Sequence, residues 1–193
     1  MVTPIQINND QTGLVELYPE WNQNSGLFDL LKHQVVWQRR TIRLFGKTHP
    51  IPRLESWVGD AGVCYAYSGQ TYVASGWPDA LLPIVESLRR QFGWQANGAL
   101  LNYYRNGSDS MGWHSDDEPE LGPNPSLAIL SLGASREMQL RNIEDPSQKL
   151  SVNLTPSSLL WMHGAVQHHW QHALPKRARS EERISVTFRK IIS

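Results

Sequence analysis

His114 and Asp116 stand two residues apart in the stretch Leu100–Asp117. Side chains alternate along a strand, so both would point to one face if this segment is extended. An imidazole and a carboxylate on one rigid face are two of the three ligands of a 2-His-1-carboxylate triad. That triad holds Fe(II) and leaves positions open for O2 and a co-substrate. A His-x-Asp triplet also arises by chance, so the reading depends on the rest of the chain. A third ligand has four candidates, His163, His168, His169 and His172, and periodicity does not choose among them.

A second signal lies in Glu182–Lys190. Ile184, Val186 and Phe188 fall on one side of an extended chain; Arg183, Ser185, Thr187 and Arg189 fall on the other. In a strand buried on both faces the second set points inward. Two guanidinium groups there need anionic partners, because an unpaired buried charge is very costly. The chain offers few obvious internal acids for both. A small dicarboxylate would satisfy them, since arginine matches a carboxylate bidentately. The rival reading is an edge strand with solvated arginines. Asn102 and Tyr104 share a face of an earlier strand and could add an amide and a phenol to the same anion; a plain core aromatic is the competing view of Tyr104.

The elements that position these residues are mostly strands. After Gly98 the runs 99–105, 111–117, 126–132, 136–141, 150–154, 157–162, 168–172 and 182–189 are separated by Gly, Pro, Asn and Ser clusters. Short strands at this spacing suit a double-sheet jelly roll. Asn106-Gly107 marks a reversal, because both residues tolerate positive φ. Residues 1–24 are polar without clear periodicity and read as an extended lead-in. From Asn24 or Ser25 a helix is expected, with Leu27, Phe28, Leu30, Leu31 and Val35 as its apolar stripe. A second helix runs from Leu82 to Phe92, with Pro83 in its first turn and Gly93 as its C-cap. Between them Gly59–Gly62 is a turn, and the strand after it carries Tyr65 and Tyr67 on one face.

Composition narrows the classes. The chain has 193 residues, 40% hydrophobic and 19% charged, which fits one soluble domain. A net charge of zero argues against nucleic-acid binding through bulk charge. Yet Trp37–Trp57 gathers Arg39, Arg40, Arg43, Lys47 and Arg53 against a single acid, Glu55. Within it, Leu44-Phe45-Gly46-Lys47 is an apolar tip flanked by cations. One reading is a solvated hairpin with Phe45 packed inward; the other is a phosphate-gripping edge whose aromatic pushes into a base stack. The one cysteine, Cys64, leaves no internal disulfide or cysteine-based zinc site and reads as a reduced core residue. With no leader and no long apolar run, the expectation is an intracellular protein away from membranes, cytoplasmic if bacterial and nuclear if eukaryotic.

Taken together, these residues resemble the AlkB-type Fe(II)- and 2-oxoglutarate-dependent dioxygenases. The resemblance runs from about Trp37 to the C-terminus. It rests on Asn102-x-Tyr104, His114-x-Asp116, a distal histidine, and Arg183 and Arg189 with five residues between. Leu44–Lys47, Gly59–Gly62, Trp113–Glu118 and Ser185–Lys190 look most like the duplex-DNA repair branch. The family pattern implies His172 as the third ligand, because His172-Ala173-Leu174-Pro175 precedes Arg183 at the matching distance. It implies Fe(II) on His114, Asp116 and His172, with Arg183 and Arg189 on the carboxylates of 2-oxoglutarate. Asn102, Tyr104, Ser185 and Thr187 would assist.

The implied reaction uses O2 to oxidise an N-methyl group on a nucleobase such as 1-methyladenine or 3-methylcytosine in DNA, with succinate, CO2 and formaldehyde as products. The base would leave its stack to reach the iron and lie between Tyr67 and His114. Tyr65 would line the wall, Glu118 would meet the cationic base edge, Phe45 would fill the gap, and Arg53 would sit on phosphates.

The expected fold is mainly β (α+β): a double-stranded β-helix, or jelly roll, with N-terminal helices and a nucleotide-recognition hairpin region. Residues 1–97 would form the extension with helices and lid, and 98–193 the core of one structural unit, a monomer. Two alternatives stay open: the same chemistry on RNA or single strands, which would leave Phe45 idle, and a non-catalytic jelly roll that only binds nucleic acid.

Overall fold

Burial on both faces picks out the central strands. β8 (Gly98–Tyr104) and β15 (Arg183–Arg189) are buried at every residue, and β10 (Leu127–Gly133) at all but its last. Strands of this kind sit between two packed layers. In the computed structural model, which describes residues 3–44, 46–67 and 70–192 without the side chains of Arg43, Leu44, Tyr67 and Gln70, these three lie side by side. They form the middle of a seven-stranded antiparallel sheet. β13 (Leu159–His163), β2 (Gly13–Tyr18) and β1 (Ile5–Asp10) extend one edge, and β5 (Leu54–Gly59) makes the other.

A smaller sheet is ordered β12 (Lys149–Leu154), β11 (Arg136–Asn142), β14 (Trp170–Leu174), β9 (Met111–His114). The two sheets form the expected jelly roll. Two hairpins stand outside both: β3 (Thr41–Leu44) with β4 (Lys47–Pro50), and β6 (Cys64–Tyr67) with β7 (Gln70–Val73).

The large sheet has an apolar cluster on each face. On one, α1 (Leu27–Gln34) and α2 (Leu82–Phe92) lay Leu27, Leu31 and Leu88 on Ile184, Val186 and Phe188. On the other, Leu127, Ile129 and Leu160 meet Met138, Leu140 and Val152 of the small sheet. Each fully buried side chain of this size contributes about 1.5–3 kcal/mol. α2 carries Pro83 in its first turn and ends at Gly93, whose φ of 61° closes the helix through its N–H on the Arg89 carbonyl. Among the described residues no helix is long and apolar enough to cross a membrane.

Several expectations change. Residues 5–18 are not a lead-in but a hairpin, whose β2 buries Val15 and Leu17 against β13. The sheet therefore draws β1, β2 and β5 from the first 97 residues. α1 begins at Leu27 behind Gly26 without a side-chain cap; Asn24 Oδ1 accepts the Gly26 N–H instead. The run 168–172 splits into a helical turn, α3 (Val166–His169), and the start of β14. Accordingly His168 sits in a helical turn and exposed His163 ends a strand. Asn106 and Gly107 are not in the positive-φ region. Glycine is needed at 107 because a Cβ would come within 2.3 Å of the Arg177 carbonyl oxygen. Cys64 is exposed rather than in the core, since its strand belongs to an outlying hairpin.

Candidate active site

The inward faces of β8, β9, β14 and β15 converge. Asn102, Tyr104, Met111, His114, Asp116 and His172 line one cavity of about 30 Å³, together with Arg183, Ser185, Thr187 and Arg189. With Arg189 turned onto Asp116, that volume holds only one or two waters. The alternation expected for the last strand is what the structure has: the arginines, Ser185 and Thr187 point in, while Ile184, Val186 and Phe188 face the helices.

Sheet pairing sets the histidines together. His172 lies opposite His114 in the β14–β9 ladder, and the ring centroids are 4.1 Å apart. His114 Nδ1 is 2.9 Å from the Gly112 carbonyl oxygen. A carbonyl only accepts, so Nδ1 carries the proton and Nε2 keeps its lone pair, the form that binds a metal. Burial pushes His172 down to about 3, helped by His114. Burial also lowers His114, though Asp116 works against it. Both imidazoles are therefore neutral at physiological pH.

Asp116 is not on the strand, because β9 ends at His114. Its backbone N–H is held by Gln167 Oε1 at 3.0 Å, and both carboxylate oxygens accept from Arg189 Nη2 at 2.9 Å. Burial raises the carboxyl, but Arg189 and the two histidines outweigh it and keep it below the usual range. Asp116 is thus the internal acid for Arg189 that sequence reading did not find. Gln167, fully buried in α3, left no signal in the sequence. It is one amide in a helical turn 51 residues from its partner.

Arg183 differs from Arg189. It is 1% exposed, donates from Nη2 to Ser131 Oγ at 2.9 Å, and has no ion-pair partner among the described residues. Its Nε has no partner either. Burial pushes it down to about 10.

Beside His114 a second cavity of about 220 Å³ opens, walled by Arg40, Arg53, Glu55, Tyr72, Trp113 and His114 among others. Arg53 corrects an expectation: it is 5% exposed, paired with Glu55 at 2.6 Å and bonded from Nε to Asn102 Oδ1 at 2.8 Å. A buried, paired guanidinium lines this cavity where an exposed surface cation was expected. Tyr65 is fully buried and stacked on Trp57, with Arg189 5.1 Å from its ring. It stands behind Arg189, and the described aromatic walls are Tyr72 and Trp113. Glu118 is half-buried, raised first by burial and then by Asp116, and close to Tyr65. Phe45 and the Tyr67 side chain lie outside the described residues.

Residues 14–189 match the model of the 2OG-Fe(II) oxygenase superfamily. The chain belongs to that family. Within it the chain is AlkB-type. It is 36% identical over 189 residues to alpha-ketoglutarate-dependent dioxygenase alkB homolog 3 of Bos taurus, covering 93% of this chain and 64% of that protein. The Homo sapiens alkB homolog 3 is 34% identical over 201 residues, with 96% and 70% covered. The Homo sapiens DNA oxidative demethylase ALKBH2 is 36% identical over 163 residues, with 78% and 61% covered. The chain thus spans about two thirds of the length of these relatives. The solved structure of OsALKBH1 superposes with a TM-score of 0.66 at 14% identity, over 96% of this chain and all of that one, a likeness of fold.

The 2OG-Fe(II) oxygenase family implies Fe(II), 2-oxoglutarate and O2. The residues of this AlkB-type chain fit those groups. Two neutral imidazoles and an ionised carboxylate line one cavity, and Arg183 is a buried cation with no carboxylate partner among the described residues and an orphaned N–H. Among the described residues no three His, Cys, Asp or Glu side chains are drawn together into a closed ligand set, and Asp116 is turned to Arg189.

Proposed function

We propose that this AlkB-type dioxygenase oxidatively removes N-linked methyl groups from nucleobases in DNA, with 1-methyladenine and 3-methylcytosine as substrates. The observation that carries the reading is the second cavity. It meets the histidine pair at His114, is far larger than the first, and is bordered by Thr41 and Ile42 of the β3–β4 hairpin, on which Lys47 and His49 are exposed. A relative whose name is DNA oxidative demethylase supports the same substrate class.

Each residue then has a task. His114, Asp116 and His172 would hold Fe(II), which supplies the oxidation of the methyl group when bound. Arg183 would neutralise one carboxylate of 2-oxoglutarate, and Arg189 the other once it leaves Asp116. Asn102, Tyr104, Ser185 and Thr187 would complete the donors around that dianion. The flipped base would enter between Tyr72 and Trp113 and stack near His114. Arg53 and Glu55 would present fixed charges at its floor. Glu118 would favour a base made cationic by methylation. The oxidised methyl group leaves as formaldehyde, restoring the base, while 2-oxoglutarate becomes succinate and CO2.

The test is anaerobic reconstitution with Fe(II) and 2-oxoglutarate, then air and an oligonucleotide carrying one 1-methyladenine, read by mass. Loss of one methyl group, absent without 2-oxoglutarate and in His114→Ala, is expected. Turnover of 2-oxoglutarate with the base still methylated would sink the substrate assignment and leave the iron chemistry standing. Duplex and single-stranded oligonucleotides run side by side, with Phe45→Ala on each, separate the two strand preferences.

A further inference from the structure

Arg136 is a buried charge with no part in the site described above. It opens β11 and is 2% exposed. Two residues on, on the same inward face, Met138 lines the smaller cavity. Among the described residues one nitrogen of the guanidinium is engaged: Nη2 donates to the carbonyl oxygens of Asp109 at 3.1 Å and Pro175 at 2.7 Å. Nε and Nη1 have no partner among the described residues. The neighbouring acid, Asp109, is already taken by Arg105, through Nε at 2.7 Å and Nη2 at 2.9 Å.

Arg136 and Arg183 share a neighbour. Their guanidinium carbons lie 5.8 and 5.4 Å from the centroid of the Tyr104 ring, and Tyr104 lies opposite Arg183 in the β8–β15 ladder. Neither arginine has a carboxylate within ion-pair distance among the described residues. Two like charges around one phenol in a dry interior repel, and each has lost its hydration. Burial and then repulsion from Arg177 loosen the proton on Arg136, although Tyr104 and Asp109 act the other way. That end of the barrel is therefore short of negative charge, and a dianion would offset the deficit.

We infer that Arg136 is a positioning residue for 2-oxoglutarate: with Tyr104 between them, Arg136 and Arg183 form a two-cation end wall for the carboxylate farther from the keto group. Arg136 touches neither the keto acid nor the metal ligands. It acts by its charge and by holding the Tyr104 ring and the two loop carbonyls in place. The inference rests on the proposed assignment of Arg183 to the co-substrate.

The experiment is calorimetric binding to the Mn(II)-loaded protein, with 2-oxoglutarate and with 2-oxopentanoate, which keeps the keto-acid end and lacks the second carboxylate. Wild type, Arg136→Gln, Arg136→Lys and Arg183→Gln are compared. In Arg136→Gln the 2-oxoglutarate dissociation constant should rise about tenfold while that of 2-oxopentanoate moves less than about twofold. Arg136→Lys, which keeps the charge and gives up the planar fork, should recover most of the preference even if its melting temperature falls. Equal losses for both ligands, no loss for either, or a lysine variant as poor as the glutamine one would overturn the inference and leave Arg136 as a staple for two carbonyls. If Arg183→Gln also keeps the preference for the dicarboxylate, the pocket assignment fails; if only Arg136→Gln keeps it, the part given to Arg136 fails alone. Should Arg136→Gln not fold, Arg136→Met repeats the comparison with an apolar chain.

Discussion

The seven-stranded sheet and the β3–β4 hairpin carry charge by opposite rules. In β15 every residue is buried, and Arg183 and Arg189 are 1% and 2% exposed. Their heads are fixed by Ser131, Asp116 and the walls of the barrel. In β4 every residue is exposed, and the strand pairs with β3 in a sheet of two. A cation buried in the sheet acts at one position, in low dielectric, at high cost if its partner is lost. A cation on the hairpin keeps its water and acts through a screened field. Chemistry that depends on placement suits the first, and the proposed grip on nucleic acid suits the second.

Substitutions can test that contrast. The largest effect is expected at His172, where replacement by alanine should bring formaldehyde release down to the rate without enzyme. Appreciable turnover would remove His172 from the metal site. Next comes Glu55→Ala, which strands Arg53 as a buried charge and should cost about 3–5 kcal/mol in urea denaturation. A loss below about 1 kcal/mol would show that Arg53 reaches solvent, as a lid residue would. Gln167→Ala removes the amide that holds the Asp116 backbone and should weaken Mn(II) binding by about 10- to 100-fold, measured by titration calorimetry. Unchanged affinity would mean that the end of β9 is rigid without it. The smallest effect on the fold belongs to Lys47→Ala, with stability within about 0.5 kcal/mol of wild type. Its oligonucleotide binding should weaken equally for all sequences, and the salt dependence should become shallower by about one in slope. A sequence-dependent loss would contradict a purely backbone role.

Much of the site was legible because strand alternation is a local rule. Arg183, Ser185, Thr187 and Arg189 follow period two, and the structure places all four in the cavity. Gly93 and Pro83 are helix-end residues by their own backbone preferences, and both stand where expected. The failures share another cause. Val15 and Leu17 lie behind a polar turn, and only pairing with β13 shows that they are core. Arg53 read as a surface cation because it falls in the cation-rich stretch from Trp37 to Trp57. Its neighbours in space are Glu55, Asn102 and the Ser110 carbonyl.

What the sequence determined by itself is the set of local choices: which residues alternate, where helices stop, and which side chains have metal- and anion-binding chemistry. Tertiary structure alone decided the pairings: Asp116 with Arg189 across 73 residues, Gln167 on the Asp116 backbone, and Arg136 beside Arg183 at one phenol. The physical reason is range. Backbone preference and side-chain direction are fixed within a few residues, whereas the partner of a buried charge depends on which strands meet.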